Sequence, residues 1–243
     1  MNIKLTIEYD GTDYHGWQVQ PNGKTIQEVL EQAIEKILGV RTRLNGSGRT
    51  DAGVHALGQV ANFLYAEGVD LWRLQKGLNA VTPHDIVVRK AEVAQDSFDA
   101  RRDARSRVYQ YRIWNHLWPS AFERRFSWHV PESLDLAAMQ DAILCLEGEH
   151  DFGSFQAAGC DAEHPVRKIY HNSLGREGDF IVYQVEATAY LRHMVRNIVG
   201  TLVEVGRKQR TPEALAELLK ARDRTQAGPT APPQGLFLIE VKY

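Results

Sequence analysis

The spacing of apolar residues switches from two to helical and back again early in this chain, and that alternation restricts it to folds in which helices pack on a sheet. Ile3, Leu5, Ile7 and Tyr9 alternate with Lys4, Thr6 and Glu8, the period that gives a strand one buried face. Asp10-Gly11-Thr12-Asp13 breaks the strand. Ile26, Val29, Leu30, Ala33, Ile34, Ile37 and Leu38 then recur at helical spacing, between a Thr25/Glu28 capping box and Gly39, which predicts an amphipathic helix with defined ends. Val40, Thr42 and Leu44 predict a short strand, and Gln59 to Tyr65 its antiparallel partner, so Asp51 falls between two strands. A helix over Leu71 to Leu78 and a strand from Ile86 to Val93 complete the order β-α-β-β-α-β, which is ferredoxin-like, or RRM-like.

The second half predicts the same order without repeating the sequence. A strand runs from Arg105 to Trp114, a helix from Leu136 to Leu146, and strands from Val166 to Leu174 and Phe180 to Ala189. Met194, Val195, Ile198, Val199, Leu202 and Val203 space a helix that Gly206 ends, Thr211-Pro212 opens another, and Phe237, Ile239 and Val241 alternate. The expectation is an α+β fold of two ferredoxin-like halves, 1–104 and 105–243, with their sheets joined side by side and a central active-site cleft.

Two cysteines, Cys145 and Cys160, in 243 residues demand no disulfide and suit a reducing compartment. The first residues lack the basic-then-apolar pattern of a signal peptide, and no apolar run is long enough to cross a bilayer, so a cytoplasmic protein with no membrane partner is expected. A net charge of −2 argues weakly against a polyanionic partner, unless Lys and Arg gather on one side.

The chemistry is concentrated in Gly46-Ser47-Gly48-Arg49-Thr50-Asp51-Ala52-Gly53-Val54-His55-Ala56. Its glycines, at 46, 48 and 53, permit backbone angles closed to other residues and a close approach by a large ligand. The bland reading makes Asp51 a turn residue bonded to nearby amides and Arg49 a surface charge. A second cluster sets Arg105, Arg107, Tyr109 and Tyr111 on one face of a strand, cationic and then aromatic. That order suits phosphates and unpaired bases; it also suits a solvated charged stretch running into core tyrosines. His150, His164 and His171 have no familiar ligand spacing, so no metal is expected.

The string from Gly48 to His55 resembles the signature of the tRNA pseudouridine synthase A family. Glu8-Tyr9-Asp10-Gly11 with Gly16-Trp17-Gln18, Ser106 to Tyr111, and His193 to Gly200 resemble further motifs of that family in the same order. Arg102-Asp103 departs from it where a Phe-Ser pair is frequent. The resemblance implies a cofactor-free isomerase converting uridine to pseudouridine at positions 38, 39 and 40 of the tRNA anticodon arm, working as a homodimer. It implies Asp51 as the catalytic aspartate, Tyr109 packing on the flipped uracil, Arg196 pairing with the aspartate, and Arg49 handling the flipped nucleotide, with Tyr111 in support. A carboxylate can attack C1′, assist its deprotonation or add at C6, and all three stay open. A non-catalytic RNA-binding module remains the alternative.

Overall fold

The computed structural model describes residues 1–160 and 162–243. Ten β-strands and five α-helices are present among them, a mixed α/β architecture, in two compact units.

The first unit takes in Met1–Arg105 and Phe237–Tyr243. It contains β1 (Asn2–Tyr9), α1 (Ile26–Leu38), β2 (Asn45–Gly46), β3 (His55–Leu64), α2 (Leu71–Val81) and β4 (Ile86–Ala94). Strand β1 is central, antiparallel to β3 and to β4. Its alternation works as expected: Ile3, Leu5 and Ile7 are fully buried together with Ile26, Leu30 and Ile34 of α1 and Leu74 and Leu78 of α2. Each such side chain contributes about 1.5–3 kcal/mol relative to exposure. Thr25 caps α1 by accepting from the Glu28 amide, and Gly39 closes it in the left-handed region at φ 71°.

Two departures from expectation bear on the Asp51 loop. Residues 40–44 form no strand, because helix side chains take the backbone groups a strand partner would need. The Leu44 amide donates to Glu31 Oε1 at 2.9 Å, and Gln27 Nε2 donates to the Leu44 carbonyl at 3.0 Å. Pairing is left to β2, where Asn45 faces Asn62 and Gly46 faces Ala61. Strand β3 also begins earlier than Gln59, at His55, since its first residues pair in parallel with the terminal strand of the chain, Phe237 with His55 and Leu238 with Ala56. The terminus is tied down further by the Tyr243 hydroxyl, which donates to the Ala100 carbonyl at 2.8 Å.

The second unit is Ser106–Leu236. It holds β5 (Ser106–Trp114), β6 (Trp128–His129), α3 (Leu136–Ile143), β7 (Gly148–Asp151), β8 (Val166–Glu177), β9 (Phe180–Ala187), α4 (Met194–Gly206) and α5 (Ala214–Ala221); the terminal strand is β10 (Leu236–Lys242). The sheet order is β5-β9-β8-β7, with β6 beside β5. Strands β6 and β7 had no signal in the sequence, being two and four residues of mixed character. Helix α4 is buried nearly all round, Arg196 and Glu204 being its only half-exposed members. Such a helix belongs to a core.

Candidate active site

Asp51 lies in the connection between β2 and β3, and that connection is held by buried polar side chains beneath it. The Tyr9 hydroxyl, at the end of β1, shares a 2.7 Å hydrogen bond with Thr50 Oγ1. Gln59, fully buried on β3, donates to the Gly48 carbonyl at 3.0 Å and accepts from Ser47 Oγ at 2.7 Å. Burial holds the Tyr9 phenol well above its ordinary value, against the opposing hydrogen bonds of Thr50 and Gln59. It stays a neutral hydroxyl. The main chain is pinned as well: the Trp17 amide donates to the Thr50 carbonyl at 3.1 Å, and the Val54 amide to the Asp51 carbonyl at 3.1 Å.

The three loop glycines do different things. Gly53 sits in the left-handed region at φ 76°, where an L side chain is strained. A Cβ at Gly46 would collide with the Trp17 indole. Gly48 has no positive φ, and no atom stands within 4 Å of where its Cβ would be. Folding therefore explains Gly46 and Gly53 but not Gly48. On this frame Arg49 is exposed, Asp51 half-exposed and Thr50 buried, so alternate side chains point outward from a fixed backbone.

His55 supports the loop from below. It is 1 % exposed, stacks on Phe237 with ring centroids 4.8 Å apart, and its Nδ1 accepts from the Gly11 amide at 3.1 Å. The same Nδ1 lies 3.1 Å from Asp10 Oδ1. This histidine positions the loop.

The remaining sequence-predicted residues fall in the second unit, Arg105 excepted. Tyr109, on β5, is 8 % exposed, and its ring meets Tyr190 edge-on at 4.8 Å and 78°. Tyr190 is fixed in turn, its hydroxyl donating to the Arg107 and Val185 carbonyls at 3.0 and 2.9 Å. Tyr111 is fully buried, and its hydroxyl donates to the Pro232 carbonyl at 2.7 Å. It has no face to offer a substrate; it anchors the loop that precedes β10. Arg107 is half-buried with Nη1 donating to the Thr188 carbonyl at 2.8 Å, while Arg105 is exposed and its amide donates to the Lys242 carbonyl.

Arg196 occupies the first turn of α4, after His193 in the left-handed conformation at φ 61°. Its Nε donates to the Ala231 carbonyl at 2.7 Å, and the Ala231 amide returns a bond to the Arg196 carbonyl. Burial raises the Tyr111 phenol pKa, and the Arg196 charge opposes that rise. Beneath them Asn197, fully buried, donates to the Phe155 carbonyl at 2.7 Å and accepts from Thr230 Oγ1 at 2.6 Å and Arg224 Nη2 at 3.1 Å. Sequence reading missed Tyr9, Ser47, Gln59, Tyr190 and Asn197 as site supports. Tyr9, Ser47 and Asn197 lay inside the motif strings and Gln59 at the start of a predicted strand, with nothing in the sequence to mark any of them as a support.

Among the described residues no group of three or more His, Cys, Asp or Glu could hold a metal ion, and no helix is long and apolar enough to cross a membrane.

A family model described as tRNA pseudouridine synthase matches residues 5–102 and 142–243, stretches that contain both the Asp51 loop and the Arg196 helix. The chain belongs to the tRNA pseudouridine synthase family. Proteins named tRNA pseudouridine synthase A are similar to it over nearly its whole length. That of Geotalea uraniireducens is 47% identical over 99% of both chains, and that of Myxococcus xanthus 50% identical over 99% of this chain and 91% of its own. A Thermoanaerobacter relative is 44% identical over 100% of this chain and 99% of its own. The similarity to these synthases therefore includes residues 103–141, between the two matched stretches, where Tyr109 lies.

Proposed function

We propose that this chain isomerises uridine to pseudouridine at positions 38, 39 and 40 of the tRNA anticodon arm. The reaction breaks the N1–C1′ bond, forms a C5–C1′ bond, releases the C5 proton and returns a proton to N1. Atoms and electrons balance without redox chemistry or a cofactor. What carries the reading is the Asp51 loop: a family motif whose carboxylate stands half-exposed on a backbone fixed by Tyr9, Thr50 and Gln59.

In this reading Asp51 is the reacting carboxylate, acting at C1′, in its deprotonation, or at C6. Tyr109 packs on the uracil, Arg196 is the cation that the family motif pairs with the acid, and each of the two units is a ferredoxin-like half. Arg49, exposed beside Asp51, handles the nucleotide once it leaves the stack, a step that costs a few kcal/mol. Arg105 contacts phosphate. Arg107 is better placed to hold β5 through Thr188. The enzyme works in the cytoplasm as a homodimer.

Tritium release from tRNA carrying 5-tritiated uridine tests this. Release matching pseudouridine formation is expected. Binding of the tRNA with no release from any unmodified tRNA would replace the isomerase with a binding module.

A further inference from the structure

After β4 the chain crosses the sheet of the first unit on the face turned away from α1 and α2, and the crossing brings arginines to the strand that leads into the Asp51 loop. Ile3 and Phe63 pair on the buried helix side, so Lys4 and Asn62, the next pair in register, face the other way. Asn62 fastens the crossing there. Its Nδ2 donates to the Phe98 carbonyl at 3.1 Å, and its Oδ1 accepts from the Ala100 amide at 2.9 Å. The same Oδ1 accepts from Asn45 Nδ2 at 3.2 Å, which joins the crossing to β2. Beyond the join the turn spends its acids on its own amides. Asp99 Oδ1 accepts from the Arg101 and Arg102 amides at 2.9 and 2.8 Å, and Asp103 Oδ2 from the Asp99 amide at 2.9 Å. Arg101, Arg102 and Arg105 are exposed, as are Arg41 and Arg43 on the approach to Asn45. In a chain of net charge −2, arginines thus gather on both sides of one rigid join, the footprint of a polyanion contact.

We infer that Arg43 and Arg102, on either side of the Asn45–Asn62–Ala100 join, form a subsite for backbone phosphates of the bound tRNA, apart from the flipped nucleotide. The inference rests on the proposed tRNA substrate and extends the contact given to Arg105. Residues 99–105 carry no aromatic or amide side chain, so the turn offers guanidinium forks for phosphate oxygens and little with which to read a base. Strand β3 is 10 residues long, roughly 30 Å. The Asp51 connection enters at its His55 end and Asn62 lies near the other, which sets the subsite on a different stretch of the RNA from the reacting uridine. A phosphate held there is held equally in ground and transition states, so the subsite governs affinity and leaves the chemical step alone. Arg102 stands where the sequence departs from the family motifs, so those motifs do not supply this contact.

Filter binding of unmodified tRNAs to the full chain across a salt series tests the inference, alongside single-turnover tritium release at saturating enzyme. Arg43→Ala/Arg102→Ala should weaken every tRNA alike, by about tenfold or more near 0.1 M salt, and lower the salt slope by about 1.5. Its rate of release should stay at the wild-type value. Arg43→Lys/Arg102→Lys keeps both charges and should restore the slope with part of the affinity. Arg73→Ala/Lys76→Ala, on α2 at the helix side of the same unit, should change neither Kd nor slope; an equal fall there would make the effect one of total charge and overturn the subsite. Unchanged Kd and slope in Arg43→Ala/Arg102→Ala would overturn it, as would a loss confined to the rate of release. If wild type binds with the predicted losses in the variant yet releases no tritium, the subsite stands and the isomerase reading falls. Failure of wild type to bind tRNA at all would remove both.

Discussion

The Asp51 loop and the start of helix α4 present the two charged groups of the proposed reaction by opposite means. The acid rides on a loop whose backbone is held from beneath by a tyrosine, a threonine and a glutamine, each through one or two hydrogen bonds. The arginine rides on a helix buried nearly all round, whose first turn is bonded in both directions to the segment around Ala231. The first arrangement is adjustable one bond at a time. The second is part of the core, so disturbing it disturbs the unit.

That contrast predicts different costs for similar substitutions. Asn197→Leu removes the acceptor of Arg224 and Thr230 and the donor to Phe155 at a fully buried position; we expect a loss of about 3 kcal/mol or more in urea unfolding, with activity lost as a consequence. Gln59→Leu should cost less, about 1–3 kcal/mol, yet lower kcat by about 10²-fold, since a slight displacement of the reacting group is enough. KM should barely move. If Gln59→Leu lost stability and kept its kcat, the loop would not depend on its buried amide. Gly46→Val should crowd Trp17 and cost about 1–3 kcal/mol. Gly48→Ala should leave stability within about 0.5 kcal/mol, and a raised KM there would assign that glycine to ligand approach.

The buried tyrosines set a pH limit common to both regions. Burial raises the phenols of Tyr9, Tyr111, Tyr183 and Tyr190 above the ordinary value of 10.0. The unfolded chain therefore releases these protons first as pH rises, so stability is full below about pH 10 and falls above it. Thermal unfolding between pH 8 and 11 should show a falling midpoint above pH 10, and a flat profile would contradict their burial as neutral groups. The smallest expected effect is at Arg105: replacement by alanine should reduce the salt slope of tRNA binding by about one and weaken all tRNAs alike. Arg107→Ala should instead loosen β5, with the salt slope unchanged.

Most of the elements were legible because periodicity reports burial directly. Ile3, Leu5 and Ile7 state their strand, and the α1 stripe states its helix. The short strands β6 and β7 were not, since two to four residues carry no period. The strand expected over 40–44 failed for a tertiary reason: Glu31 and Gln27, a dozen or more residues earlier, capture its backbone. Asp51 and Arg196 stood out as motif residues, while their supports did not, because a buried Gln or Asn looks like any polar residue until its partners are folded around it. Tyr111 shows the reverse error. The period of two set it on one face with Tyr109, but only the fold shows that face covered at Tyr111 by the Pro232 segment.

The central claim is that Asp51 does chemistry and does not merely shape a turn. Its most direct test is single-turnover tritium release by Asp51→Asn at saturating enzyme, with the Kd for the same tRNA measured in parallel. The account predicts an unchanged Kd and a rate lower by about 10³-fold or more. Release at the wild-type rate by Asp51→Asn would contradict it and return Asp51 to the turn.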